Sequence, residues 1–323
     1  MKRNKVIYLE QKGADERWKS SFIDVFGKRH DWSIYDPAKE TESQLSDVEM
    51  VIDMGGASAT PELVAAARRC RLWHILAVGY DLFDMEMMRQ AGIPVANVPG
   101  STSAPGLANG AMMFMLQIVM KYKEAQKVLG TGKLYTPMGE ELGGKVLGMI
   151  GFGASGRALA HVAKPFGMTF MIAEPVALDQ ETLDTYQPRF VGGPAEVDKI
   201  ISEADFVSLH LPLNDDTRGF IDARRIALMK PTASLINVAR GDLVDKTALY
   251  AALMEERIRG IGTDVHAGRY PDSDHPVYNH PNFYTLPHVS GSSVETTVRR
   301  AEVALENANR IADGLEPKWR VDG

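Results

Sequence analysis

Cysteine is almost missing from these 323 residues: Cys70 stands alone, so an internal disulfide is impossible and nothing points to an oxidising compartment. Long hydrophobic runs are also missing. The most apolar stretch, Ala111 to Met120, carries Gln117 and is about half the length that a membrane-spanning helix needs. Near the start only Val6 to Leu9 is apolar, too little for a secretory leader, so the expectation is a cytoplasmic protein with no membrane partner. There is no surplus of positive charge either, since 36 Lys and Arg face 42 Asp and Glu for a net charge of −6. Without a basic field, nucleic acid is excluded as a main partner. Tandem repeats, low-complexity tracts and coiled-coil heptads do not occur. What remains is an ordinary globular composition, 45% hydrophobic and 24% charged, on a chain long enough for two domains.

Short β-branched runs alternate with helical stretches, the pattern of parallel sheets with helices on their faces. Val6–Leu9, Trp32–Tyr35, Met50–Met54, Leu72–Val78 and Pro94–Val98 suffice for one small doubly wound unit, with helices over Pro61–Arg69 and Asp84–Arg89. A second series, Val146–Ile150, Thr169–Ala173, Phe206–Leu211, Ser234–Val238 and Ile261–Val265, reads as a dinucleotide-binding half. Between them Ser101 or Thr102 is positioned to cap one long helix to about Leu129, where Gly130 and Gly132 offer a stop. A last helix from about Ser292 to Ala312 returns the chain to the first unit. The fold class is α/β: two doubly wound parallel-sheet domains, Rossmann-like or flavodoxin-like, with a cleft between them.

The strongest local signal is Lys145-Val-Leu-Gly-Met-Ile-Gly151-Phe-Gly153-Ala154-Ser155-Gly156-Arg157, a strand entering G-x-G-x-x-G and then a helix. Gly151 permits the tight turn, Gly153 lets the backbone approach a pyrophosphate, and Gly156 lets the helix pack closely while its first amides face the anion. Glu174 follows at the end of the next strand, where an acid accepts hydrogen bonds from an adenosine ribose. A carboxylate there repels a 2′-phosphate, so the cofactor expected is NAD rather than NADP. The bland reading of Glu174 is a solvated residue at a strand end.

From about Asp53 to Asn309 the chain resembles the D-isomer-specific 2-hydroxyacid dehydrogenase family. The resemblance rests on an ordered series: Ala77-Val-Gly-Tyr-Asp81, Asn97-Val-Pro-Gly100, Glu141-Leu-Gly-Gly-Lys145, His210-Leu-Pro-Leu213 with Thr217, Asn237-Val-Ala-Arg-Gly241, Gly262-Thr-Asp-Val265 and Leu286-Pro-His-Val289. It implies a discontinuous substrate domain, residues 1–100 plus 288–323, with an NAD-binding domain, 101–287, inserted. It implies an oxidoreductase that moves a hydride between NAD(H) and a small 2-oxoacid or D-2-hydroxyacid, glyoxylate-like, hydroxypyruvate-like or dianionic. Arg240 matches the substrate arginine, whose guanidinium grips a carboxylate bidentately and polarises the adjacent carbonyl. His288 matches the acid/base histidine. Val78 and Gly79 are implied as amide donors to the substrate carboxylate. Ser103, Pro212, Thr217, His210, Val238 and Asp264 are implied, with the glycine turn and Glu174, as the cofactor's surroundings, Asp264 as partner of the nicotinamide amide. The stripe Met112, Met113, Met115 and Met120 reads as flexible core or subunit-contact packing; in relatives this helix helps form a dimer, so the resemblance implies a homodimer.

The pattern breaks at one telling place. Five residues past the Asp of its Asp-Val motif the family has a glutamate beside the histidine; here the residue is Arg269. A cation there favours neutral imidazole. Two readings stay open: Arg269 holds a second anionic group of the substrate, or it faces outward while Asp272 or Asp274 orients His288. Asn109 stands where the family usually has an acid, and Met54-Gly55-Gly56 occupies the segment that in relatives faces the far end of the substrate, offering amides and space but no charge. His266, His275, His280 and His288 lie close in sequence, but without cysteine ligands they make a poor zinc set, and no metal is expected. Two alternatives to the dehydrogenase reading are an NAD(H)-binding sensor with little turnover and a relative that oxidises another small anion such as formate.

Overall fold

The computed structural model describes residues 3–55, 59–268 and 274–322. The chain divides into two compact units, Met1–Thr102 with Ser293–Gly323, and Ser103–Ser292.

The first unit holds strands β1 (Lys5–Leu9), β2 (Asp31–Ile34), β3 (Met50–Asp53), β4 (Leu72–Ile75) and β5 (Val95–Ala96), all parallel, in the order β2-β1-β3-β4-β5. That is the flavodoxin-like order. β3 and β4 are buried at every residue, as strands covered on both faces must be, and they are apolar except for Asp53 and His74. One face packs on Phe22 and Phe26 from the helix Arg17–Phe26 and on Ala304, Leu305, Ala308 and Ile311 from the helix Val294–Ala312. Those last four positions recur at helical spacing and form one stripe. Ser293 caps that helix by accepting from the Thr296 amide, one residue inside the start expected from sequence.

The second unit is a seven-stranded parallel sheet of β6 (Val146–Ile150), β7 (Thr169–Ala173), β8 (Phe190–Gly192), β9 (Phe206–Leu209), β10 (Ser234–Asn237), β11 (Gly260–Thr263) and β12 (Phe283–Thr285). Its order, β12-β11-β10-β9-β6-β7-β8, is the dinucleotide-binding order 3-2-1-4-5-6 with one strand added at the far edge. The sequence missed β8 and β12, each only three residues long. Their pairing with β7 and β11 makes them strands, not their own propensity.

The single long helix expected up to Leu129 is two helices, Ala104–Val119 and Tyr122–Val128. Lys121 adopts a left-handed conformation between them, with φ 49°. Tertiary contacts override the helical composition here. The Lys123 ammonium donates to the carbonyls of Phe283 (2.6 Å), Tyr278 (3.4 Å) and His280 (3.4 Å), and its amide donates to Tyr284 Oη (3.1 Å). The first helix is preceded by Ser103, whose side chain makes no capping bond, rather than capped by Ser101 or Thr102. Among the described residues no helix is long and apolar enough to cross a membrane.

Candidate active site

Between β6 and β9 the strand order reverses, and in such sheets ligands bind outside the carboxyl ends of the strands at that point. The glycine turn lies there. Gly151 follows β6 at φ 93°, and a Cβ on it would lie 2.7 Å from the His210 carbonyl oxygen, so both its conformation and its space demand glycine. A Cβ at Gly156 would lie 2.7 Å from the Gly151 carbonyl oxygen, which seats the helix Ala154–Ala163 against the strand. At Gly153, by contrast, a Cβ would meet nothing within 4 Å. The turn is closed by its first and third glycines and open at its second, and the helix begins at Gly153 without a side-chain cap on its amides. This cradle fits a pyrophosphate.

Glu174 stands just past β7, and its Oε2 accepts from the Phe152 amide at 2.6 Å, holding the carboxylate against the glycine turn. His210 follows β9. Its Nε2 lies 3.0 Å from Ser208 Oγ and its Nδ1 3.0 Å from Ser155 Oγ, so the imidazole ties the strand end to the first turn of the pyrophosphate helix. Burial holds His210 down to about 4, and the bridge is therefore a neutral ring. Thr217 folds the loop after His210 back on itself, donating to the Pro212 carbonyl at 2.7 Å.

Three loops leave the same edge of the sheet after β10, β11 and β12. Arg240 and His288 each lie three residues past a strand end, Asn237 and Thr285, with β11 between those two strands. At the usual strand spacing the two strand ends are about 10 Å apart. Asn237 shapes the first loop: its Oδ1 accepts from the Ala239 amide at 3.1 Å and its Nδ2 donates to the Arg240 carbonyl at 2.8 Å, with Val238 buried between. Arg240 Nη1 donates to the Ala239 carbonyl at 2.8 Å. His288 is exposed, on a left-handed backbone at φ 61°.

Asp264, expected to meet a nicotinamide amide, has 0% exposure, and its two oxygens accept from the amides of Val289 (2.8 Å) and Ser290 (2.9 Å). It thus grips the two residues that follow His288. Burial raises its carboxyl above the ordinary range, while those amides and the His288 charge pull it back. The same loop rests on the Ala104–Val119 helix, where a Cβ on Gly106 would lie 2.5 Å from the Ser290 carbonyl oxygen and one on Gly110 2.3 Å from Ser290 Oγ. Ser103, buried at the head of that helix, lies against Gly291. Sequence reasoning singled out neither Asn237, Gly106 nor Gly110. The two glycines carry a signal, since four-residue spacing puts them on one helix face.

The other residues singled out lie in the first unit, past the ends of the neighbouring strands β3 and β4. Asp53, with 0% exposure, accepts from the Gly55 amide (3.1 Å) and from Trp73 Nε1 (3.3 Å), fixing the start of the Met54–Gly55 loop. Asn97 Nδ2 donates to the Val78 carbonyl at 2.7 Å, just before Gly79. Arg269, Asp272 and Gly56 lie outside the described residues. His275 and His280 each accept, through Nδ1, from an amide two residues on, Val277 (3.2 Å) and Asn282 (3.1 Å), and so serve as turn caps.

A family profile described as "D-isomer specific 2-hydroxyacid dehydrogenase, NAD binding domain" matches residues 112–290. The chain belongs to the D-isomer-specific 2-hydroxyacid dehydrogenase family. It is 32% identical over 283 residues to a glyoxylate reductase of Korarchaeum cryptofilum, covering 85% of this chain and 82% of that one. It is 30% identical over 271 residues to a hydroxypyruvate reductase of Thermotoga maritima, covering 83% and 85%. The solved structure of the TT0316 protein from Thermus thermophilus superposes with a TM-score of 0.81 at 27% identity, covering 98% of this chain and 99% of that one. The enzyme is an NAD-dependent oxidoreductase, and the cradle at Gly151–Gly156 with Glu174 is where the residues fit that cofactor.

Proposed function

We propose that this dehydrogenase reduces a small 2-oxoacid, glyoxylate or hydroxypyruvate, to the D-2-hydroxyacid, with Arg240 and His288 as its catalytic residues. One observation carries the reading: the loops bearing a guanidinium and an imidazole leave the same sheet edge on either side of β11, with a phosphate cradle on that edge two strands along from β10. Bound NADH supplies the hydride. The planar Arg240 guanidinium holds the substrate carboxylate through two parallel hydrogen bonds and draws electron density from the adjacent C2 carbonyl. His288 delivers a proton to the C2 oxygen as that carbon accepts the hydride, and takes it back in the oxidative direction. The relatives named for glyoxylate and hydroxypyruvate support the choice of substrate.

The active form is proposed to be a cytoplasmic homodimer. Leu129 (70% exposed), Leu134 (76%), Tyr135 (97%) and Met138 (81%) put a run of large apolar side chains in solvent, a surface that a second copy can cover symmetrically. The lone thiol, Cys70, agrees with a reducing compartment. The test of the reaction is NADH consumption with a panel of 2-oxoacids that includes dianionic ones. Turnover of glyoxylate or hydroxypyruvate that disappears in His288→Ala supports the proposal, and NADH binding without turnover of any 2-oxoacid refutes it.

A further inference from the structure

We propose that His266 is a positioning residue that sets the spacing between Arg240 and His288, an inference that rests on the catalytic reading above. His266 leaves the end of β11, the strand between those that carry the two catalytic loops. Its backbone supports one loop. A Cβ on Gly241, the residue after Arg240, would lie 2.1 Å from the His266 carbonyl carbon and 2.4 Å from the Ala267 nitrogen, so the Arg240 loop rests directly on this peptide. Its side chain supports the other. Nε2 lies 3.2 Å from the Leu286 carbonyl oxygen and 3.2 Å from Thr285 Oγ1, two and three residues before His288. A carbonyl oxygen only accepts, so Nε2 carries a proton and donates it to Leu286.

One residue therefore touches both loops, by backbone on one side and by side chain on the other. Asp264 holds the residues after His288, and His266 holds those before it. Pinned at both ends, the left-handed His288 keeps one direction. An aliphatic side chain at position 266 could fill the volume but could not donate to Leu286, leaving the His288 loop held at one end. A misplacement of about 1 Å can cost on the order of 100-fold in rate, so the loss of one of two anchors is expected to cost roughly 10-fold.

The experiment compares His266→Leu and His266→Gln with wild type, since the glutamine amide retains an N–H donor near the Nε2 position. It reads kcat and KM for a 2-oxoacid, the Kd for NADH, the melting temperature, and hydrogen exchange of backbone amides across residues 286–290. For His266→Leu the expected result is a kcat lower by about 10-fold, unchanged NADH binding and melting, and faster exchange in 286–290 only. His266→Gln should recover most of the rate and protection. Wild-type kcat in His266→Leu, or a glutamine variant as impaired as the leucine one, overturns the proposal. If wild type turns over no 2-oxoacid, the substrate assignment falls separately, and exchange still decides: unchanged protection across 286–290 in His266→Leu overturns the role of His266.

Discussion

Alanine in place of each glycine of the pyrophosphate turn should separate stability from cofactor binding, because the three positions differ in what surrounds them. At Gly156 the new methyl would stand 2.7 Å from a carbonyl oxygen of the same turn, and at Gly151 2.7 Å from the His210 carbonyl on a backbone at φ 93°. Neither obstacle is a flexible side-chain end. Overpacking of this kind costs about 1–3 kcal/mol, and the left-handed conformation adds roughly 1–2 kcal/mol at Gly151. At Gly153 a methyl meets nothing within 4 Å and relieves backbone entropy, so stability should stay within about 0.5 kcal/mol of wild type. That methyl instead occupies the face through which a pyrophosphate approaches. The order expected for denaturation midpoints is wild type, equal to Gly153→Ala, then Gly156→Ala, then Gly151→Ala. NADH titration by fluorescence should show Gly153→Ala weakened by at least about 10-fold, equivalent to about 1.4 kcal/mol. Wild-type NADH affinity in a fully folded Gly153→Ala would refute the assignment of this turn to the cofactor.

Other consequences can be measured directly. Asp264→Asn exchanges one of two accepting oxygens for an NH2 group that opposes a backbone N–H, at about 1–3 kcal/mol for the group left unpaired; exchange at Val289 and Ser290 should quicken and kcat fall, while NADH affinity holds. Arg240→Lys keeps the charge but loses the bidentate fork, so KM for the 2-oxoacid should rise and kcat drop, with kcat/KM lower by about 100-fold or more; wild-type values would discount the guanidinium. His74, with 0% exposure, is held down to about 3 by burial, and His210 to about 4. In both the unfolded chain takes up the proton first, so stability is lost as pH falls from about 6.5 towards those values. The urea midpoint should drop between pH 7 and pH 5, and His74→Asn should shrink that drop. Tyr135→Asp combined with Leu134→Asp should convert a species of about twice 35.5 kDa on gel filtration into a monomer; an unchanged elution volume would exclude this surface from the dimer.

The architecture was legible because buried parallel strands write themselves as mostly apolar runs, and the cofactor turn because three glycines at fixed spacing between a strand and a helix specify one kind of turn. Val146–Ile150 and Thr169–Ala173 were read to the residue. The three-residue strands β8 and β12 were not, because so short a segment is defined by its neighbours. The break at Lys121 was hidden for a related reason: the residues on both sides are good helix formers, and the Lys123 contacts that turn the chain come from 155 to 161 positions away. Arg240 and His288 were legible only as matches to a family pattern. Asn237 acts locally, on backbone groups two and three residues on, whereas Asp264 and His266 act through backbone groups of another loop, and such contacts leave no spacing in the sequence. Of the four histidines close in sequence, His275 and His280 cap turns, His266 touches the loops of both Arg240 and His288, and His288 is the proposed acid.

The most direct test is product analysis with glyoxylate or hydroxypyruvate and NADH in wild type and His288→Ala, with NADH affinity measured in both. For hydroxypyruvate the account predicts D-glycerate formed in step with NADH consumed by wild type. In the alanine variant it predicts no product despite an unchanged Kd. An alanine variant that turns over at the wild-type rate, or a wild-type product of L configuration, would contradict it.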